Sequence, residues 1–118
     1  MRIDIQARGF DLSPALRAHA ERRLHYALGA AAGRLTTLAL RLADENGPRS
    51  GIDKRCTVRA LLPGGPPVVI EEVDSDLYVA IDRAADRTAR TVLRRLARIR
   101  AARRAGSRAA GSDPLFSS

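Results

Sequence analysis

Apolar and polar residues alternate in several stretches of the chain, with the period of two that half-buried β-strands show. The first stretch covers residues 2–8, and two longer ones cover 35–42 and 52–62. A short run rich in β-branched residues follows at 68–73, after a turn of prolines and glycines. These four stretches predict four strands.

Two other segments have helical spacing. Ser13 followed by Pro14 is typical of an N-cap and a first helical position, and apolar residues then recur every three or four positions, which predicts a helix over 14–28. The acidic and serine residues at 74–76 can cap and favourably charge the start of a second helix, which the spacing predicts over about 76–104.

The predicted order is β-α-β-β-β-α, in which each strand has one apolar face. We therefore expect an α+β fold, a two-layer sandwich with a four-stranded sheet and both helices on one face. One domain would cover residues 1–104, and the small and polar residues 105–118 would form a disordered tail. The other sheet face would meet solvent or a partner. It would carry Arg2, Gln6, Arg8, Thr37, Arg41, Thr57 and Arg59.

The charge of the chain is strongly positive and unevenly distributed. Lysine and arginine number 21 against 13 acidic residues, for a net charge of +8, which favours a polyanionic partner such as nucleic acid. Nearly all the cations are arginine, a residue that suits phosphate but that a GC-rich genome also enriches. Residues 1–74 carry 11 cations and 9 anions, whereas residues 87–104 carry 8 arginines and no acid.

A helical wheel at about 100° per residue separates the second helix into two sides. The side that would cover the sheet holds Leu77, Ile81, Ala84, Thr88, Val92, Leu96 and Ile99. Roughly opposite lies an arginine stripe made of Arg83, Arg87, Arg90, Arg94 and Arg98. A solvated face normally mixes charges of both signs. Near the start of the helix Asp82 and Asp86 are candidate partners of Arg83, Arg87 or Arg90, and we expect the later arginines to bind RNA phosphates.

The first helix adds three candidate RNA-binding residues, Arg17, Arg22 and Arg23, which spread around its wheel. Aromatic residues are few, so recognition of RNA shape and phosphate fits better than base stacking. His19 and His25 stand six residues apart, on different helix faces, and do not have metal-ligand spacing.

The sequence contains no pattern of catalytic residues, so we expect no enzymatic activity, no cofactor, no metal and no small-molecule substrate. Glu71 and Glu72 would point to opposite faces of a strand and could not act as an acid–base pair. The lone cysteine, Cys56, is expected to be a buried apolar thiol. No signal peptide or membrane-spanning segment is recognisable, which indicates a cytoplasmic protein without a membrane partner.

Two motifs resemble a known family. Residues 76–82, Asp-Leu-Tyr-Val-Ala-Ile-Asp, are similar to the Asp-Leu-Tyr-Ala-Ala-Ile-Asp signature of the ribosome hibernation-promoting and ribosome-associated inhibitor family. Residues 12–19, Leu-Ser-Pro-Ala-Leu-Arg-Ala-His, resemble the first helix of that family, together with the Arg-Leu pair at 23–24. The segment 44–56 looks like a loop from a divergent branch of the family.

This resemblance implies a function. Members of the family bind the small ribosomal subunit near the decoding region, where basic residues of both helices meet rRNA and block mRNA and tRNA. Matched by position, the basic residues of this chain are Arg17, Arg23, Arg87, Arg90, Arg94 and Arg98. Long members carry a C-terminal dimerisation domain, and the chain resembles the short form, so we expect no dedicated dimerisation domain.

Three functions remain open on the sequence. The first is a translation inhibitor or hibernation factor that binds small-subunit rRNA. The second is a general binder of structured RNA, since a β-β-β-α unit also resembles double-stranded-RNA-binding domains. The third is an adaptor whose basic helix binds an acidic protein.

Overall fold

The computed structural model describes residues 2–44 and 53–112, with side chains up to residue 106. Its elements follow the predicted order, with one short 3₁₀ helix (Gly29–Arg34) after the first α-helix. They are β1 (Arg2–Arg8), α1 (Pro14–Leu28), β2 (Thr37–Asp44), β3 (Lys54–Leu61), β4 (Val68–Asp74) and α2 (Leu77–Ser112). Of the segment that resembles a divergent loop, residues 45–52 lie outside the described part, as do residues 113–118 of the predicted tail.

The sheet has the strand order β1-β2-β3-β4, so each strand lies beside its neighbour in sequence. β1 and β2 are parallel because α1 connects them as a crossover, and the other two pairs are antiparallel. The α+β prediction is confirmed. One face of the sheet and the inner sides of both helices form a single apolar core. Its fully buried large side chains include Leu24, Leu28, Leu38, Leu40, Leu42, Val58, Ile81 and Val92.

The start of α1 follows the predicted signals. Ser13 has extended backbone angles, and its hydroxyl oxygen accepts a hydrogen bond from the Leu16 amide at 3.1 Å. Pro14 occupies the first turn, where its missing N–H costs nothing. At the end of β1 the chain turns at Gly9, whose φ of 87° is accessible to glycine. A Cβ there would lie 2.9 Å from the Asp44 carbonyl oxygen.

The start of α2 is also capped as predicted, but its end is not where the sequence indicated. The Asp76 carboxylate accepts a hydrogen bond from the Tyr78 amide at 2.8 Å. The helix continues to Ser112, so residues 105–112 are helical rather than a disordered tail. Alanine and arginine have high helix propensity, and no proline lies between Leu77 and Pro114, so Gly106 and Gly111 do not end the helix earlier. Among the side chains described up to residue 106, the last buried one is Leu96.

Candidate RNA-binding surface

The arginine stripe of α2 has a first half that is neutralised by the end of β4. Arg83 donates to the Asp74 carboxylate at 3.0 Å. Arg87 donates to the Glu72 carboxylate at 2.8 Å and to the Glu71 carbonyl oxygen at 3.1 Å. Although both guanidinium groups are exposed, their charges are already compensated. These two residues connect the helix to the edge strand.

The two acidic residues of α2 turn away from the stripe. Asp82 accepts from Arg23 at 3.0 Å and contacts the His19 ring nitrogen at 2.8 Å, and Asp86 accepts from Arg23 at 3.0 Å. The candidate pairing of these aspartates with stripe arginines is therefore wrong. Their partners belong to α1, because both aspartates lie on the side of α2 that packs against that helix. Arg23, a predicted RNA-binding residue, is committed to this bridge.

The second half of the stripe consists of Arg90, Arg94 and Arg98. All three side chains are exposed, and within the described part of the chain none of them forms an ion pair. Arg94 and Arg98 line an open depression of about 520 Å³ together with Thr91 and Ala97. Like charges three and four residues apart on a helix repel one another. This half of the stripe is therefore an exposed, uncompensated cationic surface.

The remaining predicted residues of α1 lie on two different sides of that helix. Arg22 is exposed and adjacent to Arg23, on the outward side of the helical layer. Arg17 is exposed as well, but it precedes His19 by two residues and so points roughly 160° away from it. Since His19 faces α2, Arg17 faces away from α2. The structure does not bring Arg17 together with the arginine stripe.

The open face of the sheet has the polar character that the alternation predicted. The exposed residues there include Arg2, Gln6, Arg8, Arg41 and Arg59, whereas Thr37 and Thr57 are half-buried. Glu71 lies on this face, 3.7 Å from Arg55, and Glu72 points to the helical face, which confirms that the two carboxylates diverge. This surface mixes both signs of charge.

Two titratable groups of β3 are perturbed, and neither resembles a catalytic residue. Cys56 is fully buried, and burial with the nearby Glu72 carboxylate raises the pKa of its thiol to about 12. Lys54 lies 2.9 Å from Asp44 and 3.3 Å from the buried Asp53. The hydrogen bond with Asp44 is the main cause that raises the pKa of Lys54. Both shifts favour the ordinary neutral thiol and charged ammonium forms.

Three further basic residues were not among the predicted site residues. Arg100, Arg103 and Arg104 extend from the last turns of α2 that have described side chains, and all three are exposed. In the sequence, these three arginines belong to the run at 87–104 that contains no acidic residue. The helical wheel did not include them in the stripe because they lie on another side of the helix. Arg95, by contrast, donates to the Pro66 carbonyl oxygen and fastens the β3–β4 turn to α2.

In the ranges 2–44 and 53–112, no group of three or more histidine, cysteine, aspartate or glutamate residues could hold a metal ion. Across the same residues, no helix combines the length and the apolar character needed to cross a membrane. The exposed groups of the stripe are guanidinium groups, which bind phosphate bidentately.

Comparisons with known proteins identify the family of the chain. No curated protein matches the chain. Among solved structures, the N-terminal domain of Protein Y from Thermus thermophilus is 34% identical, with a TM-score of 0.66, and the match covers 80% of this chain and 98% of that one. A ribosomal subunit interface protein from Coxiella burnetii shares the fold at 21% identity, with a TM-score of 0.70 and coverage of 82% and 99%. The family model described as sigma 54 modulation protein / S30EA ribosomal protein matches residues 3–100, and the chain belongs to that family.

Proposed function

We propose that this chain is a non-enzymatic, ribosome-associated hibernation factor of the cytoplasm, which binds small-subunit rRNA near the decoding region and thereby inhibits translation. The observation that carries the proposal is the uncompensated half of the stripe, Arg90, Arg94 and Arg98. Family membership and the similarity to a ribosomal subunit interface protein support the ribosome as the partner.

The contacts around the stripe support a division of roles among the predicted residues. Arg90, Arg94, Arg98 and Arg22 are available to phosphate. Arg83 and Arg87 would have to exchange or share their carboxylate partners, and Arg23 would have to break the bridge to α2. We therefore assign the main binding contribution to the first group, with Arg17 as a separate contact on the far side of α1.

The salt dependence of binding follows from this assignment. Each phosphate contact contributes about 0.7–0.9 to the slope of log affinity against log salt. Four such contacts predict a loss of affinity of roughly 50- to 150-fold between 50 and 200 mM salt. The test is co-sedimentation of the protein with purified small subunits and whole ribosomes at these two salt concentrations.

The decisive variant reverses two charges, Arg90→Glu with Arg94→Glu. We expect it to lose ribosome association while its melting temperature stays close to that of the parent, because neither side chain forms an ion pair with the described residues. The matched control reverses two exposed arginines on the open sheet face, Arg8→Glu with Arg41→Glu, and should still co-sediment. A protein that never sediments with ribosomal particles at low salt would refute the proposal.

A second candidate function is general binding of structured RNA. It is favoured by the chemistry of the stripe, because guanidinium groups facing phosphates carry no sequence information. Competition separates the two functions: an excess of an arbitrary RNA duplex should not release a ribosome-specific protein, whereas it would release a general RNA binder. A third, an acidic protein partner, would be indicated by an interaction that survives nuclease treatment.

A further inference from the structure

The end of α2 extends past the core of the domain. Of the residues whose burial is described, Leu96 is the last buried one, Ile99 is half-buried, and those from Arg100 to Gly106 are exposed. The family match ends at residue 100, whereas the helix continues to Ser112. At 1.5 Å per residue, this continuation measures about 20 Å. Packing against the domain core does not account for the described side chains of this segment, because they are exposed.

The arginines near this end point in opposite directions. Arg98 and Arg100 are two residues apart, so their side chains diverge by about 160° around the helix axis. Arg94 and Arg103 are nine residues apart and diverge by about 180°. All four are exposed, and none forms an ion pair among the described residues. The helix end therefore carries two cationic sides, and the second is separate from the stripe.

The second side becomes accessible where α1 ends. Asp86, Leu93 and Arg100 are spaced by seven residues, which places them on the same side of α2. Asp86 contacts Arg23 of α1, but α1 ends at Leu28, and Leu93 is already 42% exposed. Beyond this point nothing within the described chain covers the side of α2 that faced α1.

A single flat phosphate surface could neutralise only one of these two sides. Neutralising the arginines of both sides takes phosphate on both sides, as a helix meets when it lies between two backbones of folded RNA. Without such a ligand, the like charges within the helix end repel one another and the segment gains no tertiary contacts in return. We infer that the end of α2, from Arg94 onward, inserts into a groove of folded RNA and contacts phosphates on two opposite sides.

This inference deepens the proposed function, but it requires only an RNA groove and not the ribosome. The test compares three double variants that remove the same charge: Arg94→Gln with Arg98→Gln, Arg100→Gln with Arg103→Gln, and, as the control, Arg8→Gln with Arg41→Gln on the open sheet face. Glutamine preserves helix propensity, and circular dichroism verifies the helix content of each variant. Affinity is measured against salt with small ribosomal subunits and with a generic RNA hairpin whose stem contains an internal loop.

We expect each helix variant to lower the salt slope by about 1.4–1.8, which corresponds to two phosphate contacts, and the control to change it by less than about 0.5. If only the Arg94 and Arg98 pair lowers the slope, RNA contacts one side of α2 and the inference is refuted. Equal losses in all three variants would indicate nonspecific charge and refute it as well. A parent protein that binds the hairpin but not ribosomal subunits, with both helix variants impaired, would refute the proposed function and support the groove.

Discussion

Arg22 and Arg23 are adjacent arginines of α1 for which the structure predicts opposite behaviour. Arg23 bridges Asp82 and Asp86, each at 3.0 Å, whereas Arg22 is exposed and has no ion pair among the described residues. Arg23→Gln therefore removes two interhelical ion pairs and leaves two aspartates one turn apart with less compensation. Arg22→Gln removes only a solvated charge, which makes it a matched control in the same turn of the same helix.

Solvent exposure of the ion pairs limits the stability that Arg23→Gln can remove. The Arg23 side chain is 27% exposed, and the side chains of Asp82 and Asp86 are 43% and 53% exposed. At such sites an ion pair contributes about 0.2–1 kcal/mol, so the bridge should contribute roughly 1 kcal/mol in total. For a domain of this size, that corresponds to a decrease in melting temperature of about 4 °C. Arg22→Gln should change the melting temperature by less than about 1–2 °C.

Thermal unfolding monitored by circular dichroism at low salt and at 1 M salt is the appropriate assay. High salt should reduce the difference in melting temperature between Arg23→Gln and Arg22→Gln, because ionic screening weakens partly exposed ion pairs. A double-mutant cycle of Arg23→Gln with Asp82→Asn isolates the pair energy. The reasoning is wrong if the two glutamine variants unfold at the same temperature, or if the cycle gives no coupling. For ribosome binding we expect the opposite order: Arg22→Gln should lower the affinity more than Arg23→Gln does.

Three further predictions concern the core and a turn. The Cys56 thiol should resist a thiol-specific reagent at pH 8 in the native protein and react once the chain is unfolded, because burial keeps it protonated. The pKa of this thiol is about 12 in the folded state and 9.0 without perturbation, so the folded state keeps the proton to a higher pH than the unfolded state. The resulting stabilisation is complete below about pH 9 and should be lost as the pH rises toward 12. A Cys56→Ala variant should lack this loss in alkaline unfolding curves. Gly9→Ala should lower the unfolding free energy by about 1–3 kcal/mol, measured in urea, because the positive φ is strained and the new Cβ would meet the Asp44 carbonyl oxygen; an unchanged urea midpoint would contradict this. Leu24→Ala should cost about 2–5 kcal/mol by the same measurement, as expected for a cavity in a fully buried site, and a cost below 1 kcal/mol would mean that the core collapses around it.

Most of the fold could be predicted because its signals are local. Alternation located the strands to within two residues, and the Ser13-Pro14 pair located the start of α1. The end of α2 could not be located in this way. Gly106 and the small polar residues after it are typical of a tail, but helix propensity summed over alanine and arginine outweighs the two glycines, Gly106 and Gly111.

The candidate site was predictable in position but not in detail. Helical spacing alone defines the arginine stripe, because the side that does not cover the sheet must be exposed. The spacing cannot identify ion-pair partners that come from other elements. Asp86 has Arg83 three residues before it and Arg90 four residues after it along α2, yet it pairs with Arg23 of α1, and Arg83 pairs with Asp74 of β4. Such pairings depend on helix packing, which no local pattern encodes.

The strand order β1-β2-β3-β4 has a consequence for the kinetics of folding. In the described part of the chain, every pair of neighbouring strands is also consecutive in sequence, and the one crossover is the α1 segment between β1 and β2. Loop closure therefore spans short separations for the two antiparallel pairs, whereas β1 must pair with β2 across the whole α1 segment, which brings Ile3 beside Leu38. We expect the β2-β3-β4 part to form first from contacts between nearby segments, and the pairing of β1, which needs α1 as the crossover, to be the slower step.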